Sequence, residues 1–401
     1  MSNPKVDRLV PIVGADAVRS GADGVPRVVP PNVDALAGVM ATAHEEGWKA
    51  VVEGGGTWSA GAAPADLRIS VRALDDVTAV HTEELVAAIG AGTTLERARL
   101  EALEHGTWLA LDPPGRPDRT IGSLLATATV GPLRHATGPM KDHVSALTVV
   151  TGDGRILRAG STAATHGPGF DFVKLQVGGF GGFGIIADAH LRLRALPRAD
   201  TTWVALGDRD RLTAAARMLP ERGIVAAAVE LLSPALANEP EWVLAIRLLG
   251  QRDAVVAEGQ RLAGLEDLRW RELLPEQRVL LWNGSARAVT SVPVSIRLGT
   301  LVDGVDETLD LVLAHLGEGL LSAGAVSGLI RWSGVADATA LKSLRAALAP
   351  REVPLTVERA PWHVRREVGH FGAYREGVGG PIATLRDAFD PGRVLVAALE
   401  S

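Results

Sequence analysis

The run Val51-Val52-Glu53-Gly54-Gly55-Gly56-Thr57-Trp58-Ser59-Ala60-Gly61 constrains this chain more than any other stretch. A short β-type segment breaks into consecutive glycines and ends in hydroxyl side chains. Glycine reaches backbone angles barred to other residues and brings main-chain N–H groups up to an anion with no side chain between them. Thr57 and Ser59 add hydroxyl donors, so the segment reads as a phosphate cradle. A sharp turn after a buried strand is the alternative, and other segments have to decide between the two.

At 401 residues the chain exceeds the size at which one hydrophobic core keeps growing, so two domains are expected. The net charge of −6 comes without a basic patch, which argues against nucleic acid and against an anionic membrane surface. Cysteine is absent. That excludes disulfides, thiolate nucleophiles, cysteine-ligated zinc, iron–sulfur clusters and a cysteinyl flavin link, so electron chemistry has to reside in an organic cofactor or a partner. No signal-peptide pattern opens the chain, and no apolar run approaches the roughly 20 residues that span a bilayer. The expected location is cytoplasmic, with attachment to a membrane only through partners.

Periodicity supplies the elements. Asn32 caps a helix carrying Val33, Leu36, Ala37, Met40 and Ala43 at helical spacing, and Gly47 stands where a C-cap glycine belongs. A strand at 49–52 leads into the glycine loop. A strand at 85–89 precedes a helix that Thr93 and Glu96, at capping-box spacing, open and Gly106 closes. Gly152-Asp153-Gly154 joins 146–150 and 155–158 as a hairpin. Beyond a seam at 195–200, strand-like runs at 203–206, 225–231, 242–248, 292–298 and 325–332 alternate with helical segments at 212–219, 254–263, 307–316 and 338–348. The class is α+β, with a second sheet covered by helices on one face.

Gly179, Gly181 and Gly184 form a G-x-G-x-x-G, but the residues that follow, 185–193, alternate as a strand where a nicotinamide dinucleotide fingerprint needs a helix. Other segments carry a different likeness. Ala91-Gly92-Thr93-Thr94-Leu95, Asp112-Pro113-Pro114-Gly115, Thr120-Ile121-Gly122, Lys141-Asp142-His143-Val144, Gly169-Phe170-Asp171 and Gly184-Ile185-Ile186 follow the glycine loop in order. Together they resemble the FAD-binding domain of the vanillyl-alcohol oxidase and p-cresol methylhydroxylase family, over about residues 25–198. Within that family the chain is most similar to the FAD-binding E subunits of bacterial glycolate oxidases. Gly328-Leu329-Ile330-Arg331-Trp332 and Leu385-Arg386-Asp387-Ala388-Phe389-Asp390-Pro391-Gly392-Arg393 extend that similarity to the C-terminal half.

The resemblance implies a two-lobed FAD-binding domain over 1–198 (core 25–198), a smaller α+β substrate or cap domain over 199–376 with an antiparallel sheet covered by helices, and a segment at 377–401 that returns to the FAD domain. It implies a pyrophosphate loop made of Glu53, Gly54, Gly55, Gly56, Thr57, Ser59, Ala60 and Gly61. Pro114, Gly115, Thr120, Gly122 and Ser123 lie along the diphosphate, ribityl and ring region, and Ile185 and Ile186 edge the adenine or the ring system. FAD is expected to bind non-covalently, because Thr57 and Trp58 stand where relatives that tether flavin from this loop place His. His135 and His143 are either ring neighbours or ordinary surface or core histidines.

Three departures from the family pattern stand out. Phe180 and Gly182 replace an acid and a hydroxyl, and Glu53 sits where relatives often carry Arg, beside the expected pyrophosphate. No metal site is expected: His363 and His370 are seven residues apart among Arg365, Arg366 and Glu367. Oxidation of a hydroxy acid needs a base for the hydroxyl proton and a cation for the carboxylate. Arg331, His370 and the lone tyrosine, Tyr374, are the candidates in the second half. The preferred reading is an FAD-binding subunit of a glycolate oxidase-like complex, working with a catalytic flavoprotein subunit and an iron–sulfur subunit. A stand-alone FAD dehydrogenase or oxidase of a small hydroxy acid or alcohol, and a flavin-free assembly subunit, remain the alternatives.

Overall fold

Asn32, in extended backbone, accepts the Ala35 amide at 2.8 Å and so starts the helix Val33–Glu45, whose Leu36, Val39, Met40 and Ala43 are buried. Gly47, at φ +68°, turns the chain out of it. The computed structural model describes residues 3–21, 23–58, 63–160, 172–372 and 376–396. Ser59, Ala60, Gly61, the Gly169-Phe170-Asp171 motif and Tyr374 lie outside those residues.

The first sheet has four strands in the order Val18–Ser20, Pro26–Val28, Leu67–Ser70, Ala50–Glu53. Its last strand pairs in parallel with Leu67–Ser70, and its C-terminal end delivers the glycine loop. The open edge of Ala50–Glu53 is covered by the returning C-terminal segment: Ala50 donates to the Val394 carbonyl at 2.8 Å and accepts from the Val396 amide at 2.9 Å. Val394 and Leu395 accordingly join the core built by Leu9, Leu36, Ile69 and Ile89.

The second sheet is antiparallel, ordered Val77–His81, Val86–Gly90, Ile185–Arg192, Val144–Val150, Ile156–Gly160. Ile185–Arg192 runs through its centre as a strand directly after the glycines, as its alternation requires. Thr94, not Thr93, caps the helix Leu95–Glu104, accepting the Arg97 amide at 3.2 Å. The Thr93 carbonyl accepts the Ile121 amide and Thr94 bridges to Thr120, which holds Thr93 in extended pairing and moves the helix start one residue on.

The third sheet has eight strands, in the order Arg271–Glu272, Ala199–Gly207, Trp242–Gly250, Ala228–Leu232, Leu320–Gly324, Leu329–Gly334, Val294–Gly299, Leu355–Arg359. Side chains alternate across it. Val229, Leu231, Ile296, Leu298, Ile330 and Val357 join the core made with the helices Arg209–Met218, Val305–Leu316 and Ala338–Leu348. Glu230, Arg297, Arg331 and Glu358 therefore occupy the opposite face, where the sheet meets the first half of the chain at the carbonyls of Ala128 and Val130. Among the described residues no helix is long and apolar enough to cross a membrane.

Asp390 pins the C-terminal return. Fully buried, it accepts the Val394 and Leu395 amides at 2.8 and 3.1 Å, and Gly152 leaves it room. Asp390→Ala is expected to cost about 2 kcal/mol for the lost charge-assisted bonds. A chemical-denaturation midpoint equal to that of the parent protein contradicts this role.

Candidate functional site

Where Ala50–Glu53 ends, the loop is built for close approach. A Cβ on Gly54 would stand 2.1 Å from Thr120 Oγ1, and one on Gly55 would stand 3.0 Å from the Arg72 guanidinium. Among the described residues the main-chain amides of 55–58 find no carbonyl partner, and exposed Arg72 has no ion pair. The buried indole nitrogen of Trp58 is also without an acceptor. Unpaired main-chain donors in a glycine loop, with an unpaired guanidinium beside it, are the set that a diphosphate requires. The residues present fit the phosphates of FAD. Glu53 lines the same cavity, and its charge is offset by Arg27, which stands 3.0 Å from its carboxylate.

The loop, Thr120, Gly122, Ser123, Ile185 and Ile186 all line one cavity of about 240 Å³. Thr120 caps the helix Ile121–Thr127, and Gly122 lets that helix lie against Ala91, which a Cβ would meet at 2.8 Å. Phe180 and His370 line the same cavity, with ring centroids 5.0 Å apart. The Nδ1 of His370 bonds the Val357 carbonyl, and burial takes its pKa down to about 4, so the ring is neutral at physiological pH.

At the seam with the third sheet one carboxylate serves two guanidinia. Arg331 donates to Glu358 at 2.8 and 3.3 Å, and Arg297 approaches it at 3.3 Å while donating to the Ala128 carbonyl at 2.9 Å. Burial opposes the charge on Glu358, but Arg331 and Arg297 outweigh it and hold the pKa at about 2. Arg119 sits within range of this cluster, 1% exposed, its guanidinium 3.8 Å from the centre of the Trp58 ring. It donates to Ser123 Oγ, the Pro114 carbonyl, and the hydroxyls of Thr127 and Thr129. Burial lowers its pKa to about 9, with Glu358 opposing and Arg331 and Arg297 reinforcing, so it stays charged at neutral pH.

The Trp58–Arg119 stack lines the first cavity. Pro114 and Gly115 line a second cavity of about 500 Å³ rather than the first, and the Trp58 ring would stand 3.2 Å from a Cβ on Gly115. The resemblance implies that both residues lie along the cofactor with the loop, and here they line the neighbouring cavity, with Gly115 packed against the Trp58 ring. Arg331 lines this second cavity, while His370 lines the first. His143 is buried and His135 exposed, and neither lines a cavity described here. Among the described residues no group of three or more His, Asp or Glu is placed to hold a metal ion. Arg72, Arg119 and Asp112 escaped sequence reasoning as functional groups, because an isolated charged residue carries no spacing signal.

These shifts set the acid stability. Glu358 falls from 4.5 to about 2 on folding, so its stabilisation is complete above pH 4.5 and is lost as pH drops toward 2. His370, lowered from 6.5 to about 4, favours the folded state above pH 6.5 and is lost as pH falls toward 4. Glu358→Gln is expected to cost about 3–5 kcal/mol near neutrality by stranding two buried guanidinia, and to flatten the pH dependence below 4.5. His370→Asn flattens only the upper window. Denaturant titrations across pH check both, and parallel curves for parent and variants contradict the assignment.

Comparison with known proteins agrees with this geometry. A family model for an FAD binding domain matches residues 26–160. The chain is 30% identical to a D-lactate dehydrogenase of Archaeoglobus fulgidus over 193 residues, 47% of this chain and 42% of that protein. It is 28% identical to the glycolate oxidase subunit GlcE of Escherichia coli over 132 residues, 33% of this chain and 38% of that one. The matched region thus spans less than half the length of these relatives. Among solved structures, p-cresol methylhydroxylase superimposes with a TM-score of 0.75 at 13% identity, covering 97% of this chain and 95% of that one. A 4-ethylphenol oxidase from Gulosibacter chungangensis gives 0.74 at 15% identity, covering 98% and 95%. The fold of these flavoenzymes is shared over nearly the whole chain, and residues 26–160 match the FAD binding domain in sequence.

Proposed function

We propose that this chain is the FAD-binding subunit of a glycolate oxidase-like complex, carrying or relaying electrons from 2-hydroxy acid oxidation beside a catalytic flavoprotein subunit and an iron–sulfur subunit. The observation that carries the reading is the cradle: unpartnered amides at 55–58 beside the uncommitted guanidinium of Arg72. The partial matches to a D-lactate dehydrogenase and a glycolate oxidase subunit support the substrate class. In this reading residues 1–198 and 377–401 form the FAD-binding domain and 199–376 the cap, a division supported by the inclusion of Val394 and Leu395 in the first core.

Bound FAD supplies a two-electron acceptor for the hydride lost from a carbinol carbon. The chain's own groups hold and shield it. Amides of 55–58 and Arg72 neutralise the diphosphate, Gly122 and Ser123 give a smooth wall, and Phe180 with neutral His370 closes the cavity against water. A role as a subunit is supported by the helix Pro275–Ala288, which has no buried residue and exposes Val279 and Leu280 by 51% and 70%.

One observation favours a second reading, a stand-alone hydroxy acid dehydrogenase. Asp112 lines the second cavity, and burial raises its carboxyl to about 6, suited to accepting a hydroxyl proton at neutral pH. Flavin absorbance of the purified full chain, followed anaerobically on addition of glycolate or D-lactate, separates the cases. Bleaching only with co-purified partners supports the subunit, and bleaching of the isolated chain supports the second reading. Colourless protein that takes up no added FAD contradicts both. Arg72→Ala is expected to weaken FAD and ADP alike by about tenfold, read by equilibrium titration; unchanged affinities remove Arg72 from the phosphate site.

A further inference from the structure

The second cavity has two chemical halves. It lies between the helix Leu95–Glu104, the loop around Asp112 and the helix Pro275–Ala288, which the Gly115 amide anchors by donating to the Ala286 carbonyl at 2.8 Å. Trp108, Leu236, Val279 and Trp282 form apolar walls, and the mouth continues onto Leu100 and Leu103, which are 56% and 45% exposed. Arginines, with Glu96, Asp112 and Asp200, supply the polar half.

Those arginines are unequally committed. Arg247 grips Asp200 at 3.1 and 2.8 Å, Arg278 shares the same carboxylate at 3.7 Å, and Arg331 is held by Glu358. Arg99 donates to the Leu111 carbonyl, and among the described residues no carboxylate stands within ion-pair distance of it. A guanidinium has five donors and no acceptor, so Arg99 retains N–H groups for an anion. Asp112 is the next residue after Leu111. Its carboxylate accepts the Leu133 amide at 3.0 and 3.2 Å and keeps lone pairs for a further donor.

We propose that this cavity binds a 2-hydroxy acid with an extended apolar side chain, its carboxylate on Arg99, its hydroxyl donating to Asp112 and its hydrocarbon between Trp108, Trp282 and Leu236. The assignment rests on the hydroxy acid reading above and narrows it. A space of about 500 Å³ has the size of sites for drug-like ligands and holds the equivalent of roughly fifteen waters. A two-carbon acid leaves the tryptophan walls wet. A longer chain covers them and gains from each methylene removed from water.

Isothermal titration calorimetry on the FAD-loaded full chain tests this with 2-hydroxyoctanoate, glycolate and the uncharged 1,2-octanediol. The hydroxyoctanoate is expected to bind about 100-fold more tightly than glycolate. Arg99→Met weakens it by about tenfold and leaves the diol unchanged. Val279→Ser, on a half-exposed helix position that the fold does not need, weakens the hydroxyoctanoate and spares glycolate. Equal affinities for the two acids, no binding of either, or a loss for acid and diol alike in Arg99→Met overturns the assignment. Binding without flavin bleaching in the isolated chain upholds this site and sinks the stand-alone dehydrogenase reading. Bleaching by glycolate with equal affinities upholds that reading and sinks this site.

Discussion

Glu358 holds the two halves of the protein in register. A fully buried carboxylate is tolerable only when its charge is met, and here Arg331 and Arg297 meet it from adjacent strands. The same guanidinia spend further donors on the carbonyls of Val130, Ala128 and Thr127, which belong to the flavin half. One carboxylate thereby fixes a sheet face to a neighbouring loop. Removing it leaves two cations without a counter-charge in a dry seam.

That seam decides what the interior can hold. Arg119, in the field of the same cluster, is pressed against Trp58 and bonded to Ser123, Thr127 and Thr129. The stack lines a glycine-rich cavity suited to phosphates, beside a larger one with tryptophan walls and arginine and aspartate side chains. In the proposed reading the cofactor's anionic end and the hydroxy acid thus meet different chemistry. Backbone amides and Arg72 stand on one side, Arg99 and Asp112 on the other.

Local patterns were legible in the sequence where the interaction that makes them is local. The Asn32 cap, the hairpin at Gly152-Asp153-Gly154 and the strand at Ile185 each depend on residues a few positions apart, and each stands as the sequence implied. The Thr93 cap failed because a distant segment, around Thr120, pairs with that turn first. The helix Pro275–Ala288 buries none of its residues, so it has no apolar period to detect. Strands Leu320–Gly324 and Leu355–Arg359 were missed for a related reason: each is short and gains its place from pairing across the sheet. The resemblance names the glycine loop, Pro114 and Gly115 together, and nothing in a motif list shows that the loop lines one cavity and the two residues another, with Trp58 packed against Gly115. Pairing of Glu53 with Arg27 likewise became visible only once Pro26–Val28 lay in the same sheet.

Diffraction from crystals of the full chain grown with FAD tests the central claim most directly. Both phosphates are expected within hydrogen-bond distance of the main-chain amides at 55–58, with Arg72 turned toward them and Glu53 still paired to Arg27. Phosphate density lodged elsewhere, or crystals that stay free of flavin at saturating FAD, contradicts the account.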